Sequence, residues 1–191
     1  MRISLFVAAA LFAAPLHAEV ANSSETGFAV RGEVSVAATP LETWATLIAP
    51  AKWWDKAHSW SGDAANLYLD PQASGCFCEL LPRAKDAPEG ARRGSVEHMH
   101  ILYAEPGKLL RMSGALGPLQ GEAAHGTLTV TLRPDRAGTR LQWEYVVGGY
   151  IRMPAEQIAP AVDGVLAEQF SRLAAVLVPP AEPLAKAAGK R

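Results

Sequence analysis

An excess of charge of either sign is what this chain lacks most plainly. Its 191 residues carry 18 Lys and Arg against 19 Asp and Glu, a formal net charge of −1. The basic residues are scattered, which excludes the electrostatic footprint of a nucleic-acid binder. Beyond the N-terminus no apolar run approaches the roughly 20 residues that a bilayer span requires, so no membrane span is expected. Familiar catalytic signatures are missing as well. There is no GxSxG elbow, no GxGxxG after a strand, no HExxH and no phosphate-loop spacing, and neither a hydrolase nor a nucleotide-binding reading survives. Cysteine is nearly absent, with only Cys76 and Cys78, set one residue apart in Gly75-Cys-Phe-Cys-Glu79.

What is present is an ordinary globular composition, 49% hydrophobic, on a chain long enough for one domain with a substantial core. The first residues, MRISLFVAAALFAAPLHA, place Arg2 before an apolar run from Ile3 to Ala14 and end on the small residue Ala18. That is the pattern of a secretory signal peptide over 1–18, too short to span a bilayer. Export to the periplasm or the medium is expected, followed by one domain over 19–178. The proline-bearing, basic end, 179–191, is expected to be a flexible tail.

Along that domain, Phe28, Val30, Val34 and Val36 alternate with polar or small residues as a half-buried strand. Thr39-Pro40 supplies an N-cap and a first-turn proline, and Leu41, Trp44, Leu47 and Ile48 follow at helical spacing. A second short helical piece is expected over 51–57. Period two then returns, giving strands near 66–70, 75–81, 94–104 and 108–115, broken at Asp70-Pro71, at Pro82 to Arg93 and at Glu105-Pro-Gly107. Two cleaner alternations close the meander: Leu128, Val130 and Leu132 in one, and Leu141, Trp143, Tyr145 and Val147 in the other. After Met153-Pro154, apolar residues from Ile158 to Leu177 mark one face of a long helix. Strand, two short helices, antiparallel strands and a long amphipathic helix make an α+β pattern, with a curved sheet wrapped around the C-terminal helix.

Two constellations carry the candidate chemistry. Treating 76–80 and 96–100 as arms of a hairpin places Cys76 opposite His100, Cys78 opposite His98 and Leu80 opposite Val96. All six then share one face, expected to look into the fold, with Glu79 and Glu97 on the water side. Four readings of the cysteine pair stay open. The oxidising compartment favours a Cys76–Cys78 disulfide. Cys76, Cys78, His98 and His100 offer the ligand types of tetrahedral zinc, although the strand spacing is unusual for it. Cys78 activated by His98 would be a nucleophile. Simple packing is the fourth. Apart from zinc, no cofactor is expected.

The second constellation is Trp53, Trp54, His58 and Trp60, three of the five tryptophans within eight residues. Aromatic rings with one polar edge suit an apolar ligand that must also be oriented. Trp143 and Tyr145, on the inward face of the last strand, are core residues that could also line a cavity. The loop Gly114 to Gly121 is a candidate lip over it. His98, His58 and Asp63 are the candidate proton carriers, with Asp63 better suited to capping the turn Ser61-Gly-Asp63.

This order of elements resembles the helix-grip fold of the START-like, or SRPBCC, superfamily, which includes polyketide cyclases, lipid-transfer domains, pollen allergens and chaperone-ATPase activators. The resemblance rests on WWDKAHSWSGDAANLYLDPQASGCFCE from Trp53, HMHILYAEPGKLLRMSGALGPLQG from His98 and VDGVLAEQFSRL from Val162. They look like an exported bacterial branch of it. The resemblance implies a deep cavity between sheet and long helix that binds small hydrophobic or amphipathic molecules, and it implies no shared catalytic set. Binding without turnover is the leading expectation. Its competitors are a cyclase, dehydratase or isomerase with histidine acid/base chemistry and, third, a protein-interaction module. The sequence sets no oligomeric state.

Overall fold

The computed structural model describes residues 17–136 and 138–177. The expected leader and tail lie outside these residues, except that His17 and Ala18 begin the first strand. Eight strands form one antiparallel sheet: β1 (His17–Ser24), β2 (Gly27–Val36), β3 (Leu67–Leu69), β4 (Cys76–Leu80), β5 (Ser95–Glu105), β6 (Leu109–Gly114), β7 (Ala123–Asp135) and β8 (Gly138–Tyr150). Their spatial order is β1-β2-β8-β7-β6-β5-β4-β3. The helix α1 (Pro40–Leu47) follows β2, and α2 (Ala155–Val176) closes the fold. This is the helix-grip arrangement that the pattern of the sequence predicts.

Local chemistry explains the elements. Thr39 and Glu42 form a reciprocal capping box on α1, and Pro40 fills its first turn. Its apolar face buries Trp44 and Leu47. The expected second helical piece is instead a pair of single 3-10 turns, Pro50–Lys52 and Lys56–His58. Asp55 caps the second by accepting from the Ala57 N–H at 2.8 Å. The strand β1 has no counterpart in the sequence reading. Its residues, HAEVANSS, do not alternate in polarity; it is an edge strand paired only with β2 and carries a register break between Val20 and Asn22.

The central strands keep their predicted faces. Val30, Leu110, Val130, Leu141 and Tyr145 are wholly buried under α2, together with Leu166 and Leu173 from the helix. Gly126 interrupts the alternation of β7 for a steric reason: a Cβ there would lie 2.3 Å from the Tyr145 ring. Among the described residues no helix is long and apolar enough to cross a membrane.

Candidate functional site

The space between sheet and helix divides in two along α2. Under the C-terminal half it is filled. Trp143 of β8 stacks on Phe170 of α2, with centroids 4.4 Å apart, and Trp53 lies nearly parallel to Phe170 at 6.2 Å. The remaining void, lined by Phe77, Met112, Leu128 and Phe170 among others, holds about 20 Å³, room for about one water molecule. The deep cavity implied by the family resemblance is therefore occupied by the protein's own aromatic rings.

Under the N-terminal half of α2 a cleft of about 360 Å³ opens instead. Ile158, Val162, Val165 and Leu166 of α2 form one wall. Trp54, His58 and Trp60 form the second, and Leu116 with Pro118 from the loop after β6 forms the lip. The walls are overwhelmingly apolar, and His98 of β5 is the polar group that reaches in from the sheet.

Behind His98 stands Glu79 of β4, whose residue surface is 0% exposed. Its Oε2 accepts from the Trp60 N–H at 3.0 Å and lies 3.0 Å from His98 Nε2, while Oε1 accepts from the Ser61 N–H. Burial pushes the carboxyl pKa up, but the donors of Ser61, Trp60 and His98 outweigh it and hold the group below its ordinary value. Burial likewise pushes the His98 imidazole below its ordinary 6.5, although Glu79 pulls the other way. The dyad at neutral pH is thus a carboxylate and a neutral imidazole whose Nε2–H donates to it. Because two of Glu79's donors belong to Trp60 and Ser61, the same carboxylate also pins the aromatic loop against the sheet.

The expected hairpin register holds for half its length. Cys76 faces His100 and Phe77 faces Met99, but the pairing then slips, so that Cys78 faces Glu97 and Glu79 faces Val96. The slip leaves His98 as the extra residue of a bulge, and a bulge re-aims the side chain it carries. His98 turns toward α2, with its ring 4.8 Å from Phe77. Alternation from Phe77, which lines the inner void, sends Cys76 and Cys78 to the outer face. Three expectations are corrected together. The cysteines do not face the cavity, His98 and His100 do not share a face, and Glu79 is not on the water side.

On that outer face the two sulfurs are bonded to each other, with Cα atoms 5.4 Å apart. His100 is half exposed, beside His125, which is hydrogen-bonded to Ser113. The four candidate zinc ligands do not form one donor set, since the sulfurs are committed to a disulfide and the imidazoles diverge. The disulfide also leaves Cys78 no thiol to act as a nucleophile.

The remaining candidates fall in different places, with Trp54 bordering both the void and the cleft. Trp54, His58 and Trp60 line the cleft; Trp60 is 56% exposed and His58 Nε2 lies 3.3 Å from Glu168 Oε2. Trp53 belongs to the filled half, its Nε1–H donating to the Thr46 carbonyl at 2.9 Å. Trp143 is core. Tyr145 is wholly buried and acts as a strut: its hydroxyl donates to the Gly114 carbonyl and accepts from the Leu116 N–H, both at 3.1 Å, which fixes the cleft's lip. Burial pushes that phenol up to about 12. Asp63 caps a turn by accepting from the Ala65 N–H at 3.0 Å and does not line the cleft. Sequence reasoning missed Glu79. Its parity with Phe77, rather than with the cysteines, is the signal that would have placed it inside.

No protein-family model matches this chain, and no curated protein matches it in sequence. Solved structures do resemble it. A Rhizobium leguminosarum protein superposes with a TM-score of 0.54 at 16% identity, covering 86% of this chain and 98% of that one. Proteins of Mesorhizobium loti and Rhodobacter sphaeroides give 0.52 and 0.51, each at 20% identity, covering 78% and 84% of this chain and 96% and 97% of theirs. At such identities the likeness is one of fold, a sheet closed by a C-terminal helix.

Proposed function

We propose that this chain is an exported helix-grip protein of the START-like type that binds a small hydrophobic or amphipathic molecule in the cleft beneath the N-terminal half of α2. The carrying observation is the cleft itself: about 360 Å³ of apolar-walled space with one polar group, His98, projecting from the sheet. Apolar walls supply affinity through burial, and the polar group reaching in from the sheet supplies orientation. Native mass spectrometry of the mature protein, with identification of what organic extraction releases, tests this. A bound apolar species, lost when Val162→Trp fills the cleft, is expected. A protein that carries nothing and takes up no lipid, polyketide or aromatic probe would end the proposal.

One observation favours a second reading, in which the cleft is the active site of a cyclase, dehydratase or isomerase. A neutral imidazole oriented by a buried carboxylate is equipped to accept a proton from a bound substrate. On that reading His98 is the base and Glu79 its positioning residue. Turnover of a candidate substrate that survives both His98→Phe and His58→Phe would remove it.

A further inference from the structure

Resting on the cleft-binding reading, we infer that the Glu79–His98 dyad makes this cleft selective for ligands that present a hydroxyl or N–H donor, a phenol or enol on an apolar body being the best match, and that it turns away carboxylates.

The inference follows from the direction of three hydrogen bonds. Glu79 already accepts two backbone N–H groups, from Trp60 and Ser61, and it is wholly buried. A carboxylate in that position accepts only, so His98 Nε2 carries the hydrogen that it receives at 3.0 Å. Fixing the proton on Nε2 leaves Nδ1 as a lone pair on a ring that lines the cleft. Among the described residues the hydrogen bond of the His98 ring is the one to Glu79, made through Nε2. Of the other polar side chains on the cleft, Ser59 Oγ donates to the Lys56 carbonyl at 2.8 Å, His58 faces Glu168 and the Trp54 Nε1–H donates to the His58 carbonyl, while Trp60 is 56% exposed. At His98 the cleft therefore offers an acceptor and wants a donor.

A ligand hydroxyl satisfies that acceptor. A methyl ether of the same shape leaves it unpaired in an apolar surround, which costs about tenfold in affinity. A carboxylate brings a second acceptor against the first, with the Glu79 charge directly behind, and should lose more than the ether does. Among amphipathic molecules this favours alcohols, phenols and enols over free fatty acids.

The measurement is competitive binding of a naphthol, its methyl ether and the corresponding naphthoate to the full mature protein. The naphthol is expected to bind about tenfold more tightly than the ether, with the naphthoate weakest. Glu79→Gln should keep the naphthol ahead of the ether and bring the naphthoate up toward the ether. Trp60 and His98 both reach Oε2 whereas Ser61 reaches Oε1, so an amide oxygen at the Oε2 position preserves two of the three bonds and the Nε2–H tautomer, while the charge behind the ring is removed. Loss of a purely structural residue would weaken all three ligands alike and leave the naphthoate as far behind as before. Should that variant fail to fold, nitrogen NMR of the histidine-labelled wild type reads the tautomer directly. Protonated Nε2 with bare Nδ1 supports the inference, and a proton on Nδ1 overturns it. Equal affinity for naphthol and ether also overturns it while leaving cleft binding intact, whereas binding of none of the three removes the cleft reading itself.

Discussion

The two halves of α2 cover the same sheet to opposite effect. Its C-terminal half brings Phe170 and Leu173 onto Trp143, and an unbroken series of rings, Trp143, Phe170, Trp53, Trp54, Phe77 and His98, fills the space down to the hairpin. Its N-terminal half carries the shorter Ile158, Val162 and Val165, which face Trp54, Trp60 and the lip residues across open space, and the cleft remains. Side-chain size at a few positions thus decides where this fold is solid and where it can admit a guest. The loop that divides the halves is held from both sides. Gln169 Oε1 accepts from the Asp55 N–H at 2.7 Å, Arg172 donates to the Trp53 carbonyl at 3.0 Å, and Glu79 holds Trp60 and Ser61.

The contrast is broken most forcefully at its solid end. Phe170→Ala removes a ring that packs on both Trp143 and Trp53 and should cost about 3–5 kcal/mol of stability. Val162→Ala, on the cleft wall, should cost about 1 kcal/mol or less while altering ligand binding. Urea unfolding of the two variants checks the difference, and equal losses would mean that both halves are packed alike.

Acid probes the cleft floor. Both members of the dyad sit below their ordinary values when folded, so as pH falls the unfolded chain takes up each proton before the folded one does. The dyad's contribution is complete above the ordinary imidazole value of 6.5 and declines below it, first through His98 and then, below 4.5, through Glu79. Denaturation midpoints measured at about pH 7.5 and about pH 5.5 should fall with acidity in the wild type and change less in His98→Asn. A wild type more stable at the lower pH would contradict this assignment.

The smallest effect belongs to the outer face. Replacing both Cys76 and Cys78 by Ser opens a bridge that closes almost no loop, and the chain-entropy cost is about 1.5 kcal/mol or less. Ligand affinity at the cleft should not change, because the sulfurs lie across the sheet from it. Intact mass with and without reductant, differing by two hydrogens, establishes the bond. A large loss of cleft binding in the double variant would place the cysteines on the wrong face.

Much of the fold was legible because its signals are local and redundant. The Thr39–Glu42 capping box, the clean alternations of β7 and β8 and the long apolar face of α2 each specify one element on their own. The site was less legible, because it depends on a register that the sequence does not encode locally. The bulge at His98 moves one imidazole to the inner face and leaves the other outside, while Glu79 is buried because it shares the parity of Phe77 along β4. The edge strand β1 escaped notice for a related reason: its pairing with β2, not an apolar pattern, holds it in place. The aromatic cluster at 53–60 reads as one unit in the sequence, yet Trp53 fills the solid half, Trp54 borders both halves, and His58 and Trp60 serve the open one.

The central claim is that the open half admits a ligand and the filled half does not. Amide and side-chain NMR shifts on titrating the protein with a naphthol test it most directly. The account predicts changes centred on Trp60, His98, Leu116, Ile158 and Val162, with Trp143 and Leu173 unmoved. Shifts centred on Trp143 and Phe170, or no saturable shifts for any apolar probe, would contradict it.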